Sequence, residues 1–189
     1  MGDVAEEPLP ILLDACCLLN LAATGRMVAI LRDHPGRFAV VERVVAETLY
    51  LRRGGKGDDA EEREAIDLTP LIAAGLLTVL RVDTRAEAAS LIDFADQLDD
   101  GEAMTCALAL HRGFVVGTDD RKARRLCDAR TPSLATHTTS MLLRAWVETM
   151  QVSDAELGPL LRAIRERARF VPGRNDPLLA WWDAVGRQD

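Results

Sequence analysis

Short, unbroken apolar runs alternate with helical patterns along this chain. Ile11-Leu12-Leu13, Phe38-Ala39-Val40-Val41 and Phe114-Val115-Val116-Gly117 contain no polar residue. Runs of that length without alternation suit strands buried on both faces of a parallel sheet. Leu76 to Val82 is a further strand candidate, and Pro132 to Thr136 a last, short one. Helical patterns fill the intervals: one ending at Gly25, one over Met27 to Arg32, and one over Glu42 to Arg53 that stops at Gly54-Gly55. An apolar helical turn follows around Pro70 to Ala74, then helices from Arg85 to Leu98, from Glu102, from Arg121, over Thr138 to Met150 and from Ser153. A final helical turn lies in DPLLAWWDAV. Thr84 with Glu87, and Ser153 with Glu156, have the spacing of a capping box. The segment GGKGDDAEERE, residues 54–64, reads as a mobile loop: glycine frees it and like charges keep it solvated.

Strands alternating with helices predict an α/β domain with a parallel sheet. At 189 residues the chain is long enough for one domain with an ample core. A hydrophobic share of 48% against 28% charged residues fits a globular protein. No run reaches the length of a membrane span, because Asp14 interrupts the best candidate. The start MGDVAEEPLP lacks a basic-then-apolar pattern, so a cytoplasmic protein is expected. Cys16, Cys17, Cys106 and Cys127 show no CxxC spacing and are expected as reduced, buried thiols.

The net charge of -7 argues against a protein that coats nucleic acid broadly. The charge is unevenly placed, however. Acids crowd Asp58 to Glu64, whereas arginines dominate Arg121 to Arg130 and Arg162 to Phe170. A basic lip beside an acidic pocket suits a phosphate backbone held near metal ions; either run alone reads better as a solvated helix face.

In a parallel sheet, ligands bind at the carboxyl ends of strands, and acids stand at those positions. Asp14 closes the first apolar run, where an ionised carboxylate must be paired, capped or bound to a cation; it is also well placed to cap the helix from Ala15. Glu47 shares the inward stripe of its helix with Val44 and Leu51. Glu102 opens a helix behind Asp99, Asp100 and Gly101, and the small Thr105, Cys106 and Ala109 let that helix sit close to a sheet. Of Asp119 and Asp120, one must cap the helix from Arg121 and the other is then free, with Thr118 beside them. Carboxylates converging from distant positions suit a hard cation such as magnesium and phosphate chemistry. Other chemistries lack their residues. His34, His111 and His137 have no zinc spacing, and no GxGxxG, GxxxxGK[ST] or GxSxG is present.

Three stretches together resemble a PIN domain, the metal-dependent nuclease family that includes VapC-type toxins. LLDACCLLNL resembles the opening strand with its first acid, Asp14. VVERVVAETL resembles the second strand and the helix with the family glutamate, Glu47. LDDGEAMTCALA with FVVGTDDRKAR resembles the helix and strand end that supply Glu102, Thr118 and Asp120. The resemblance covers residues 10–137, and residues 138–189 then form a helical extension packed on the same domain. Ala15 and Cys16 stand where family members often carry Ser or Thr.

The resemblance implies a three-layer α/β/α fold with additional C-terminal helices, and an acidic pocket for Mg2+ or Mn2+. It implies hydrolysis of phosphodiester bonds, with RNA the foremost substrate. Asp14, Glu102 and Asp120 would hold metal, with Asp119 and Asp100 in reserve, and Glu47 would complete the catalytic set. Thr118, Arg121, Lys122 and Arg124 would contact the substrate. A cognate antitoxin and a homodimer are the expected protein partners, and no membrane is involved. The alternative is a non-catalytic PIN-like module that binds nucleic acid or protein.

Overall fold

The computed structural model describes residues 9–47, 49–52, 63–130, 132 and 134–187. The strands are β1 (Ile11–Leu13), β2 (Phe38–Val41), β3 (Tyr50–Arg52), β4 (Arg63–Ala65), β5 (Thr78–Leu80), β6 (Val115–Gly117) and β7 (Thr136–His137). The helices are α1 (Ala15–Ala23), α2 (Met27–Asp33), α3 (Glu42–Ala46), α4 (Thr69–Ala73), α5 (Arg85–Ala95), α6 (Asp100–Arg112), α7 (Arg121–Asp128), α8 (Thr139–Met150), α9 (Asp154–Ala163) and α10 (Leu179–Gly186). A π-helical turn, Ile164–Ala168, continues α9.

Five strands form one sheet in the order β5-β2-β1-β6-β7, and every pairing in it is parallel. The unbroken apolar runs supply its centre: β1, β2 and β6 are buried along their whole length. From β1 the chain moves outward through β2 to β5, then returns to the other side of β1 for β6 and β7. Parallel crossovers are right-handed, so the crossovers running in these two directions place their helices on opposite faces. The result is a three-layer α/β/α sandwich. On one face α6 packs on β1, β2 and β6, with α5 against it; α8 packs on α1, α2 and β7, and α9, the π turn and α10 group together. Leu12, Leu18, Leu108, Leu142 and Trp182 belong to a single buried cluster.

The reversal of strand order falls between β1 and β6. At such a switch point the two carboxyl ends open a crevice. Leu13 pairs with Gly117, and the Asp14 N–H donates to the Gly117 carbonyl at 3.0 Å. The first residue past β1 is thereby fixed beside the first residue past β6. A Cβ at Gly117 would lie 2.7 Å from Leu13 Cδ2, so a larger residue there must displace the buried Leu13 side chain.

The largest departure from the sequence expectation follows α3. A helix over Glu42 to Arg53 is expected, yet α3 ends at Ala46 and β3 begins at Tyr50. Leu49 and Leu51 are buried while Tyr50 is exposed, the period of a strand, and β3 pairs antiparallel with β4. Of the loop expected at 54–64, Arg63 and Glu64 begin β4, and the rest lies outside the described residues. The last strand is Thr136–His137 rather than Pro132 to Thr136: proline has no N–H to give a ladder. Both capping boxes form as their spacing indicates. Cys17, Cys106 and Cys127 are buried and Cys16 is half-buried. Among the described residues no single helix is long and apolar enough to cross a membrane; α1 and α2, the most apolar succession, are bent apart by 112°.

Candidate active site: an acidic cleft at the strand switch

Asp14 leaves the sheet at the crevice and begins α1. Its Oδ1 accepts the Cys17 N–H at 2.9 Å, so it caps the helix. The Cys16 thiol donates to both carboxylate oxygens, at 3.0 and 3.1 Å. Asp14 is only 2% exposed. Burial pushes its carboxyl up to about 6, against hydrogen bonds from Cys16, the Cys17 N–H and Thr118 that favour the ionised form, while the charge of Asp119 raises it further.

Glu102 is brought to Asp14 by α6. Asp99 caps that helix, accepting the Glu102 N–H at 2.8 Å. Gly101, Ala103, Thr105, Cys106 and Ala107 are buried, and these small side chains let α6 lie close on the sheet. Gly101 has a local reason as well: a Cβ there would meet Val44 Cγ2 at 3.3 Å and Glu47 Oε1 at 3.5 Å. Burial and the charges of Asp99, Asp120 and Asp14, in that order, push Glu102 up to about 7. Asp14, Glu47, Asp99 and Glu102 all line one cleft of about 200 Å³, floored by Ala15, Leu19 and Val44.

Glu47 reaches this cleft by a different route from the one the sequence suggests. It is the C-cap of α3 rather than a mid-helix residue, and its side chain is 44% exposed beside Arg43, with Nε at 3.7 Å. Arg43 also pairs with Asp100 at 2.9 Å; Asp100 thus faces a cation on the rim.

The doubled acids after β6 divide their work. Asp120 caps α7, its Oδ1 accepting the Lys122 and Ala123 N–H groups at 2.7 Å each, and its Oδ2 has no hydrogen-bond partner among the described residues. Asp119 is turned inward: Oδ1 accepts the Thr139 N–H at 2.9 Å, and Oδ2 accepts from Asn20 Nδ2 at 2.9 Å and from the Thr139 hydroxyl. Burial raises its pKa, and these hydrogen bonds oppose the rise. Asp119 could serve as a ligand only by giving up these bonds. Thr118, expected to contact substrate, is 1% exposed; its hydroxyl accepts the Asp120 N–H at 3.1 Å and bonds Asp14, so it positions both acids. The Lys122 ammonium is committed to the Gln97 carbonyl. Arg121 and Arg124 line a separate open groove that Asp119 borders.

The cleft therefore gathers Asp14, Glu47, Asp99 and Glu102, with Asp120 close enough for its charge to act on Glu102. Two of these carboxyls hold their protons at higher pH than an isolated acid would, a state that a bound cation relieves. The donors are mainly carboxylate oxygens, which suit a hard divalent ion. The thiols of Cys16 and Cys17 add softer donors: with Asp14 they bring three ligand atoms within 4.8 Å of one another. Sequence reasoning missed Thr139, the anchor of Asp119, and did not name Asp99 as a site residue; Asp99 both caps α6 and lines the cleft. A family model described as a PIN domain matches residues 10–174. No curated protein matches the chain.

Proposed function

The chain belongs to the PIN-domain family, and on that premise we propose that it is a metal-dependent endoribonuclease. The observation that carries the reading is the convergence of Asp14 and Glu102 at the strand switch, with Glu47 and Asp99 on the same cleft. Asp14, Glu102 and Asp120 would hold the ion, Mg2+ or Mn2+, and Glu47 would complete the site. Such an ion neutralises the crowded carboxylates and polarises the phosphoryl oxygen of a bound phosphodiester.

The chain's own residues do the rest. The Cys17 N–H and the Cys16 thiol hold the Asp14 carboxylate in one orientation. Gly101 leaves room for Val44 and Glu47 beside the start of α6. Glu102, whose carboxyl is pushed up to about 7 by burial and its acidic neighbours, would give up that proton as the ion binds. Asp119 adds negative charge behind Asp14 without leaving its own hydrogen bonds.

The test is incubation of matched single-stranded RNA and DNA oligonucleotides with Mg2+, Mn2+ or Ca2+. Cutting of RNA with Mg2+ or Mn2+, with DNA spared, is the expected result. Cutting of DNA alone would overturn the choice of substrate, and equal cutting in chelator would overturn the metal.

A further inference from the structure

A groove of about 1000 Å³ runs between α7 and the segment 170–176, beside the acidic cleft. Arg121, Arg124 and Arg125 form one wall, and Phe170 and Arg174 stand on the other. The α7 arginines have the i, i+3, i+4 spacing that puts side chains on one helical stripe. None of these arginine side chains has an ion pair or hydrogen bond among the described residues. Arg43, Arg112, Arg144 and Arg167, by contrast, are each paired with a carboxylate. Arg124 Nε is buried and without an acceptor, and buried donors are rarely left so.

Three acids share the groove with the four arginines, which leaves a small cationic excess. Asp119 is bound to Asn20 and Thr139. Asp176 accepts the Ser140 hydroxyl at 2.8 Å and the Leu178 N–H at 2.8 Å. Asp128 remains on the rim. Phe170 is held edge-on to Trp182, with ring centroids 5.8 Å apart, which makes it a rigid apolar surface among cations.

We propose that this groove is the track along which single-stranded RNA passes into the acidic cleft. The arginines hold phosphates, and Phe170 offers its ring to a base. Guanidinium groups suit phosphate oxygens, and cations interleaved with an aromatic are how proteins hold single strands. A duplex hides its base faces, and an acidic peptide has none. The track joins the cleft through one loop: Asp119 borders the groove, and its charge acts on Asp14. For the identity of the strand, this inference rests on the nuclease reading.

Fluorescence anisotropy with a labelled oligouridylate, in chelator so that nothing is cut, tests it across a salt series. The variant is Arg125→Ala/Arg174→Ala, since both residues are exposed, with melting temperature as the folding control. The expected result is affinity lower by about tenfold or more, and a salt slope smaller by about 1.4, at roughly 0.7 per phosphate contact on a single strand. An unchanged slope and affinity in the variant, or no binding by the wild type, would overturn the proposal. So would equal binding of the duplex with oligoadenylate, or of polyglutamate. Metal-dependent cutting with binding unchanged in the variant removes the track and leaves the nuclease; lost binding in the variant, with no cutting by the wild type in Mg2+ or Mn2+, removes the nuclease and leaves the track.

Discussion

Without metal at neutral pH, an Asp14→Asn protein should be more stable than the wild type, and the advantage should vanish in acid. Asp14 is buried, and its carboxyl rises from 3.8 to about 6 on folding. The folded state then binds a proton that the unfolded state has already released, so ionisation disfavours the fold. This cost is absent below pH 3.8, grows as pH climbs towards 6, and is complete above that. At about 1.4 kcal/mol for each unit of pKa, it amounts to about 3 kcal/mol at pH 7. Asparagine keeps an oxygen for the Cys17 N–H, so the cap survives. Its amide group faces Cys16 and Thr118, which now donate to the carboxylate, and that mismatch offsets on the order of 1–2 kcal/mol. The net gain of about 1–2 kcal/mol corresponds to a melting temperature higher by roughly 2–8 °C for a chain of this size. Thermal unfolding of both proteins in chelator, near neutral pH and near pH 4, measures it. A stability difference that stays the same at both pH values would refute the reasoning and leave Asp14 as a helix cap alone.

Glu102 must be ionised to hold a cation, and its carboxyl lies at about 7; Mn2+ affinity measured by calorimetry should therefore rise by about tenfold from pH 6 to pH 8, and a flat profile would count against Glu102 as a ligand. Gly117→Ala should lose about 1–3 kcal/mol in urea unfolding, because the new methyl would lie 2.7 Å from Leu13 Cδ2; an unchanged midpoint would contradict a tightly held Leu13 side chain at this point. Asn20→Leu removes donors to Asp119 and to the Thr139 hydroxyl and should cost about 2–3 kcal/mol, and a neutral result would mean that Asp119 is not held from that side.

The centre of the fold is legible in the sequence because parallel strands buried on both faces leave short apolar runs, and β1, β2 and β6 are such runs. Helix starts are legible where the signal is local, as at Thr84 with Glu87. The stretch after α3 was readable in principle: Leu49-Tyr50-Leu51 alternates, but the helical pattern of Glu42 to Ala46 invites extension through it. The site is legible as far as Asp14 and Glu102, each at the mouth of an element. The doubled acids are not, since either Asp119 or Asp120 could cap α7. What decides is a pair of bonds from Asn20 and Thr139, 99 and 20 residues away from Asp119, and no local pattern encodes them. Arg174 was hidden for the same reason: its place on the groove depends on where the chain after the π turn returns.

The most direct test of the nuclease assignment is cleavage of a labelled RNA pool by the wild type, Asp14→Asn and Glu102→Gln in Mg2+ or Mn2+. Metal-dependent cutting by the wild type that both substitutions abolish is the expected result. Cutting that persists in both variants, or a wild type that neither cuts nor gains melting temperature with metal, would contradict it and leave a binding module whose acids serve as helix caps.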